Sequence, residues 1–205
     1  MAVSSKKGLL HNKWFYCDHL GANALDVQDI QQFSVRNLEI AGGLENYLKN
    51  HAFADENNNA MRTYLVRDYT TDELVGYFSI KSGMVSLNER EITDESGNTQ
   101  ITFDTLPGLE IANFAINEAY LKGHPQWKGI GIMIFNNFIR SLADQVAAIS
   151  GTTVLYIFAL PFDSLIDRYQ KVYSFLRLDQ VEEDDLHKRL KPFYDQSCIF
   201  MYQML

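Results

Sequence analysis

The sequence predicts a mixed α/β (α+β) fold in which helices lie on both faces of one central, twisted sheet. Strand-like segments occur in both halves of the chain, and those at 62–68 and 74–80 are joined by a short polar turn. Two others, 109–117 and 152–160, are separated by an amphipathic segment of about five helical turns. A short turn joins antiparallel strands, whereas a helical crossover lets its strands run parallel. We therefore expect a sheet that is antiparallel at its start and parallel at 109–117 and 152–160.

The first half of the chain indicates a helix followed by a hairpin. Apolar residues recur at helical spacing between 44 and 51, and the polar run 54–59 is expected to end that helix in a loop. Residues 62–68 alternate and are rich in β-forming side chains, and so are 74–80 after a break at 70–73. These two runs predict an antiparallel hairpin.

The middle of the chain contains a segment without core periodicity, residues 84–104, and its turn residues at 96–98 predict an exposed insertion or a hairpin tip. The apolar positions that follow, from Ile130 to Ile149, trace one face of a helix that Gly151 ends. The continuous apolar run 152–160 is typical of a central strand covered on both faces, and Pro161 stops its pairing.

The C-terminal part predicts one further helix and one further strand. The helix is expected at 163–174, with Asp163 or Ser164 as its N-cap, and the strand at 197–204. The acidic run 179–185 between them is expected to be a solvated loop.

Length and composition fit one compact globular domain, with or without an N-terminal extension. The chain has 205 residues, of which 46% are hydrophobic and 13% aromatic. Its 18 Lys and Arg against 26 Asp and Glu give a net charge of −8, which disfavours general nucleic-acid binding. No apolar run approaches the roughly 20 residues of a membrane helix, and 1–13 has no signal-peptide hydrophobic region. We expect a cytoplasmic protein that makes no use of the membrane, with Cys17 and Cys198 as free thiols.

The five histidines do not predict a metal site. No two of them are three or four residues apart, and no cysteine stands beside one at ligand spacing. We therefore expect no metal cofactor.

The motif with the most chemical content is Gln126-Trp127-Lys128-Gly129-Ile130-Gly131, which lies between a predicted strand and a predicted helix. The first turn of a helix has unpaired N–H groups and a positive dipole end, so it can hold a phosphate. Glycines let the phosphate approach the backbone closely. A Walker loop is excluded because G-x-x-x-x-G-K-[ST] is absent, and a dinucleotide fingerprint because Ile134 stands where its third small residue belongs.

The remaining pattern, Q-x-x-G-x-G, resembles the acetyl-CoA loop of the GCN5-related N-acetyltransferases (GNAT). The order of predicted elements is that of this superfamily over residues 33–178. More narrowly, residues 33–37 followed by 43–49 look like the first segment of a subgroup that contains acetyltransferase toxins of toxin–antitoxin pairs. Residues 75–79 look like that subgroup's third strand, and 110–117 like its fourth.

The resemblance implies a GNAT-like mixed sheet in which parallel strands 4 and 5 splay apart. It implies an N-terminal extension at 1–30 and a single acetyltransferase domain at 31–205, with an insertion at about 84–104. The implied activity is transfer of an acetyl group from acetyl-CoA to a primary amine. In this family the main chain of the fourth strand, here Phe114, Ala115 and Ile116, binds the pantetheine arm.

The pyrophosphate of coenzyme A is expected on the turn and on the start of the helix. The residues implied are Gln126, Trp127, Lys128, Gly129, Ile130, Gly131 and Ile132. The ring of Trp127 could cover the coenzyme or pack on the helix. Core packing is the expected role of the side chains of Phe114 and Ile116.

Two tyrosines and one carboxylate are the predicted catalytic residues. The family uses a tyrosine after the fifth strand to protonate the coenzyme A thiolate, which makes Tyr169 or Tyr173 the donor. The family pattern F-Y-x-x-x-G-F is degraded here: one extra residue is present, and Ser174 stands in the glycine's place. Tyr169 is preferred for its distance from the fifth strand, although the two tyrosines are expected to share a helix face. Glu110 is the predicted base, acting directly or through water, with a solvent-facing strand-end glutamate as the alternative.

The acceptor and the biological role are left open by the sequence. A small amine or a protein amine is favoured, because an aminoacyl-tRNA enzyme needs a basic face and the net charge is −8. A regulatory module that binds coenzyme A without chemistry is the alternative from another class. A homodimer is compatible with the sequence.

Overall fold

The computed structural model describes residues 8–190 and 197–205. The first seven residues of the predicted N-terminal extension lie outside the described residues. The chain divides into two compact units, the first formed by Met1–Lys81 and Ile111–Leu142 and the second by Ser82–Glu110 and Ala143–Leu205. Two long strands, β4 (Leu74–Thr93) and β5 (Thr99–Ile116), contribute residues to both units.

The first unit contains the antiparallel start of the sheet. Its strands before β4 are β1 (Leu10–His11), β2 (Phe15–His19) and β3 (Arg62–Asp68), and each pairs antiparallel with the next. The predicted hairpin at 62–80 is confirmed, with Tyr64 opposite Phe78 and an irregularity between Val66 and Arg67. Part of the segment predicted to be an extension therefore adds two strands to this sheet.

The helices of the first unit are α1 (Asp26–Gln31), α2 (Leu38–Asn50), α3 (Ala52–Asn57) and α4 (Glu118–Gly123). The side chain of Asn37 caps α2 by accepting hydrogen bonds from the N–H groups of Glu39 and Ile40. The predicted loop at 54–59 is wrong over its first residues, because α3 continues to Asn57. Ala52 is fully buried and Phe53 packs on the core, so tertiary contacts outweigh the polar composition.

The first unit is held by an apolar cluster and by a buried ion network. The cluster includes Ile30, Phe33, Leu48, Leu65 and Tyr77. Arg67 on β3 is only 3% exposed, and its guanidinium donates to Asp26 at 2.6 Å and to Asp29 at 2.7 Å. These bonds attach α1 to the sheet.

The second unit contains the predicted parallel pair. Strand β5 pairs in parallel with β6 (Val154–Ala159), from Gly108 opposite Val154 to Glu110 opposite Tyr156. Antiparallel pairing joins β6 to β8 (Ile199–Met204) and β8 to β7 (Leu176–Arg177). The mixed sheet expected from the sequence is confirmed; it is mostly antiparallel, and the parallel ladder ends at Glu110 and Tyr156.

The segment 84–104 forms the outer arms and the turn of a hairpin, which is one of the two expected alternatives. Its residues continue β4 and β5, which are neighbours in the sheet, and the chain reverses at 94–98. The N–H of Asp94 donates to the carbonyl of Asn98 across that turn. The turn prediction at 96–98 agrees with this reversal.

The helix after the glycine turn runs from Gly131 to Ser150, as predicted, but it is not uniform. It comprises α5 (Gly131–Ile134), a π-helical segment (Phe135–Arg140) and α6 (Ser141–Ser150). Gly151 ends it with a φ of +72°, which a glycine adopts without strain. No periodicity in the sequence distinguished the wider π-helical turns.

Three predictions about the C-terminal part of the chain are wrong. Helix α7 (Asp163–Lys171) ends before Tyr173, and its N-cap position is Phe162 without a side-chain bond, so neither Asp163 nor Ser164 caps it. The acidic run predicted as a loop begins α8 (Gln180–Arg189), where Asp179 and Glu182 form a capping box.

No helix among residues 8–190 and 197–205 is long and apolar enough to cross a membrane.

Candidate active site

The glycine turn of the first unit is reached from β5 through α4. Asn117 follows β5 directly, caps α4 by accepting from the N–H of Ala119, and donates to the carbonyl of Leu74 at 2.8 Å. A 3₁₀ turn (Pro125–Trp127) then leads into Lys128 and Gly129. The side chain of Asn117 therefore fixes the direction in which the chain leaves the strand.

Gly129 has the backbone geometry expected of a glycine in an anion-binding turn. Its φ is +90°, and a Cβ built on it would meet no atom within 4 Å. The N–H of Ile130 donates to the carbonyl of Trp127, and that of Ile132 donates to the carbonyl of Gly129. Within the described part of the chain the N–H of Gly129 has no acceptor, and no side chain caps α5. The unpaired N–H of Gly129 is a group that could donate a hydrogen bond to a phosphate.

Trp127 packs on the N-terminal part of the chain. Its ring meets Phe15 of β2 edge-on at 4.8 Å between ring centroids, and it meets Trp14 at 5.9 Å. Phe15 is fully buried, while Trp14 is 48% exposed. Neither of the two expected positions, over the coenzyme or on the helix, anticipates this contact. The ring fastens the turn to β2.

The other predicted loop residues differ in exposure. Gln126, Lys128 and Ile132 are exposed, whereas Ile130 is buried and anchors the start of the helix. An exposed apolar side chain beside an exposed lysine is compatible with contact to a ligand that has both apolar and anionic parts.

The end of β5 in the first unit is packed closely against β4. Ala115 is buried in the apolar cluster, and Phe114 and Ile116 are half-buried. A Cβ on Gly76 would lie 2.8 Å from the carbonyl oxygen of Ala115, so this glycine is required by the close approach of the strands. The role of Phe114, Ala115 and Ile116 in binding pantetheine stays a prediction.

Glu110 in the second unit is a buried carboxylate. It is 4% exposed, so the solvent-facing alternative is wrong. The hydroxyl of Tyr156, which lies opposite it in the parallel pair, donates a hydrogen bond to it. Burial, and then the charge and hydrogen bond of Glu110, raise the pKa of Tyr156 well above its usual value. Tyr156 therefore stays protonated and acts as a donor.

The two predicted tyrosines of the second unit are both buried, at 5% and 6% exposure for Tyr169 and Tyr173. Their ring centroids are 5.5 Å apart, and the ring of Phe175 meets Tyr169 edge-on at 5.4 Å. Tyr173 follows the end of α7, so the expectation that both share a helix face is wrong. Burial raises the pKa of the Tyr173 phenol.

Ser174 stands where the family pattern has a glycine, and its backbone conformation is one that favours glycine. Its φ is +59°, in the left-handed region. The N–H of Phe175 returns to the carbonyl of Tyr169, and the N–H of Tyr173 to that of Arg168. The extra residue of the degraded motif is accommodated by this widened turn, which keeps Tyr169 as the last tyrosine on the helix.

The predicted residues are distributed over the two units. Phe114 to Ile116 and the 126–132 segment belong to the first unit, and Glu110, Tyr169 and Tyr173 to the second. Sequence analysis missed Tyr156, although it carries the only side-chain polar group in the strand Val154–Ala159. The register of the two parallel strands pairs it with Glu110, and no local pattern in the sequence encodes that register.

Among the residues that the structure describes, no group of three or more His, Cys, Asp or Glu is arranged to hold a metal ion. A cavity of about 260 Å³ in the second unit is lined by α8 and by the start of β8, and it contains none of the predicted site residues.

Comparison with solved structures identifies the fold. A tyrosine-to-phenylalanine mutant of the AtaT toxin matches with a TM-score of 0.60 and 16% identity, over 93% of this chain and 89% of its own. AtaTR bound with AcCoA matches with a TM-score of 0.59 and 15% identity, over 94% and 95% of the two chains. AtaT complexed with acetyl-methionyl-tRNAfMet matches with a TM-score of 0.56 and 15% identity, over 93% and 94%.

At these identities the likeness establishes the fold alone. The fold of this chain is that of the AtaT toxin structures, and the likeness covers nearly its whole length. No family model and no curated protein matches the sequence.

Proposed function

We propose that this protein is an N-acetyltransferase that uses acetyl-CoA as its acetyl donor and a primary amine as its acceptor. The observation that carries the proposal is the turn at Gly129, whose N–H has no acceptor among the described residues and which opens a long helix. It occurs in a fold of which one solved example is bound with AcCoA. A backbone anion site in that fold suits the pyrophosphate of coenzyme A.

The proposed roles follow from the demands of thioester aminolysis. The amine must lose a proton before it attacks, which is the role of Glu110, directly or through water. The departing thiolate needs a proton, which is the role of Tyr169, with Tyr173 as the alternative donor. The main chain of Phe114, Ala115 and Ile116 binds the pantetheine arm, and the 126–132 segment binds the pyrophosphate.

For the acceptor we propose the α-amino group of an aminoacyl-tRNA. The support is the likeness of this fold to AtaT, which has been solved with acetyl-methionyl-tRNAfMet. This choice reverses the order that charge alone suggested. The protein then needs local basic contacts to the tRNA, because the chain as a whole carries a net charge of −8.

Small cationic amines are the second candidate acceptors, and the same net charge favours them. A polyamine is attracted to an acidic protein and needs no basic surface. The two candidates differ in their response to salt, because binding of tRNA releases many counterions and weakens steeply as salt rises.

The test is a thiol-release assay with acetyl-CoA and a panel of acceptors. The panel contains charged total tRNA, uncharged total tRNA, spermidine, free amino acids and a lysine peptide. Release that depends on charged tRNA supports the first acceptor, and release with spermidine alone supports the second. If calorimetry detects no acetyl-CoA binding and no acceptor releases thiol, the proposal is wrong.

A further inference from the structure

Tyr156 is placed against Glu110 by an arrangement that clears space for one ring. Within the second unit, the side chain of Tyr156 passes over Gly108 of β5 and brings its hydroxyl to Gly83 of β4. A Cβ on Gly108 would lie 2.7 Å from Cε1 of the tyrosine, and a Cβ on Gly83 would overlap the hydroxyl oxygen. Neither glycine has a positive φ. The space that the tyrosine side chain needs, and not the backbone conformation, therefore explains why glycine stands at both positions.

The tyrosine is fixed on its other sides by aromatic packing. It is 1% exposed, its ring meets Phe158 at 6.1 Å and Phe200 at 5.6 Å, and it belongs to the apolar cluster of the second unit. A phenol in such surroundings needs one partner for its hydroxyl, and that partner is Glu110.

The pair lies at the end of the parallel ladder between β5 and β6. Glu110 and Tyr156 are the last two residues that face each other there. A hydrogen bond from a donor that is itself fixed limits the orientations that a carboxylate can adopt.

We propose that Tyr156 is a positioning residue that holds the Glu110 carboxylate in one orientation, from which it deprotonates the acceptor amine. This inference rests on the function proposed above and adds a residue to the same site. Gly83 and Gly108 are part of the device, because a side chain at either would displace the tyrosine.

Every proton in the proposed reaction has a donor and an acceptor. The acceptor ammonium gives one proton to Glu110, and its nitrogen lone pair forms the C–N bond with the acetyl carbonyl carbon. The C–S bond then breaks, and the coenzyme A thiolate takes the proton of the Tyr169 hydroxyl. The second nitrogen proton replaces the one that Tyr169 gave, and Glu110 later releases its proton to solvent. Tyr156 exchanges no proton and acts only through Glu110.

A double-mutant cycle tests this role, with the acceptor that wild-type protein acetylates fastest in the panel. Tyr156→Phe keeps the ring and should lower kcat by roughly tenfold, the effect of one hydrogen bond to a charged group. Glu110→Gln should lower kcat by roughly 10²-fold or more. The double variant should be no slower than Glu110→Gln alone, because Tyr156 has nothing left to position. The Kd for acetyl-CoA should stay within about twofold of wild type in all three.

The matched control is Tyr202→Phe, since Tyr202 lies opposite Tyr156 on β8 and stacks on Phe200 at 5.9 Å. Its kcat should stay at the wild-type value. Gly83→Ala is the second perturbation of the tyrosine and should reproduce the kcat loss of Tyr156→Phe.

Three outcomes would overturn the inference. Multiplicative losses in the double variant would show that Tyr156 acts without Glu110. Full turnover in Glu110→Gln would show that Glu110 is not the base. Wild-type protein that acetylates no acceptor would refute the proposed function itself, whereas the first two outcomes leave that function standing.

Discussion

The ring of Trp127 meets the ring of Phe15 edge-on, with 4.8 Å between the ring centroids. Phe15 belongs to β2 and is fully buried, so its position is set by the sheet. Trp127 directly precedes Lys128 and Gly129. The glycine turn is thus attached to a strand from the N-terminal part of the chain, a segment that the family resemblance does not cover.

This contact predicts a binding defect in Trp127→Ala. Loss of an edge-to-face pair removes about 0.5–1.5 kcal/mol of the interaction energy that holds the glycine turn in place. The affinity for acetyl-CoA should therefore fall roughly 3- to 10-fold. Isothermal calorimetry measures the affinity, and the unfolding midpoint identifies a variant that is merely destabilised. Trp14→Ala is the control, because that ring is half-exposed and farther from Trp127, and it should lower affinity less. An unchanged Kd in folded Trp127→Ala would contradict the prediction.

The backbone of the turn gives a second prediction. Gly129→Val should weaken acetyl-CoA binding more than tenfold, because a branched side chain shields the N–H donors and strains a φ of +90°. Gly151→Val separates the two causes: its φ is also positive, at +72°, and its Cβ would also meet no atom within 4 Å. That control should lose stability but keep its affinity. Equal calorimetric affinity of Gly129→Val and wild type would refute the assignment of the turn.

The parts of the fold that the sequence predicted are those determined by local patterns. The hairpin at 62–80, the parallel strands around Leu109 and Leu155, and the helix after Gly129 each follow from side-chain periodicity and turn residues. These signals lie within short windows of the chain.

Two of the missed parts depend on partners distant in sequence, and two depend on contacts within a few residues. Residues 54–57 are polar but helical because Ala52 and Phe53 pack on a core formed elsewhere. Tyr173 leaves α7 because the turn through Ser174 closes onto Arg168 and Tyr169. The register of Glu110 with Tyr156 spans 46 residues, and no local pattern encodes it. The capping box at Asp179 was local, and a search for D-x-x-E would have found it.

A hydrogen bond between Tyr120 and Asp68 gives a pH-dependent prediction. Burial alone would raise the pKa of Asp68, but the Tyr120 hydroxyl at 2.7 Å and the N–H groups of Thr70 and Thr71 outweigh it and lower that pKa. Stabilisation from a lowered carboxyl pKa is present above the unfolded value, 3.8, and is lost as the pH falls through the folded value.

Tyr120→Phe should therefore reduce the free energy of unfolding by about 1 kcal/mol at neutral pH, and the difference from wild type should shrink as the pH falls below 3.8. Urea titrations across this range measure it. Tyr64→Phe is the control, since Tyr64 is a buried tyrosine of the same unit that stacks on Phe78. Its difference from wild type should not vary with pH, and a constant difference for Tyr120→Phe would contradict the assignment.

The proton donor gives the last prediction. Tyr169 lies on α7, and Tyr173 lies beyond the end of that helix. Tyr169→Phe should lower kcat by roughly 10²–10⁴-fold with the Kd for acetyl-CoA nearly unchanged, because the ring is kept and only the proton is lost. Tyr173→Phe is the matched control. It should lose far less activity, because the hydroxyl of Tyr169 is still present in that variant. Single-turnover thiol release measures both. The reverse ranking would assign the donor to Tyr173, and near-normal turnover in both variants would mean that the thiolate departs without a tyrosine proton.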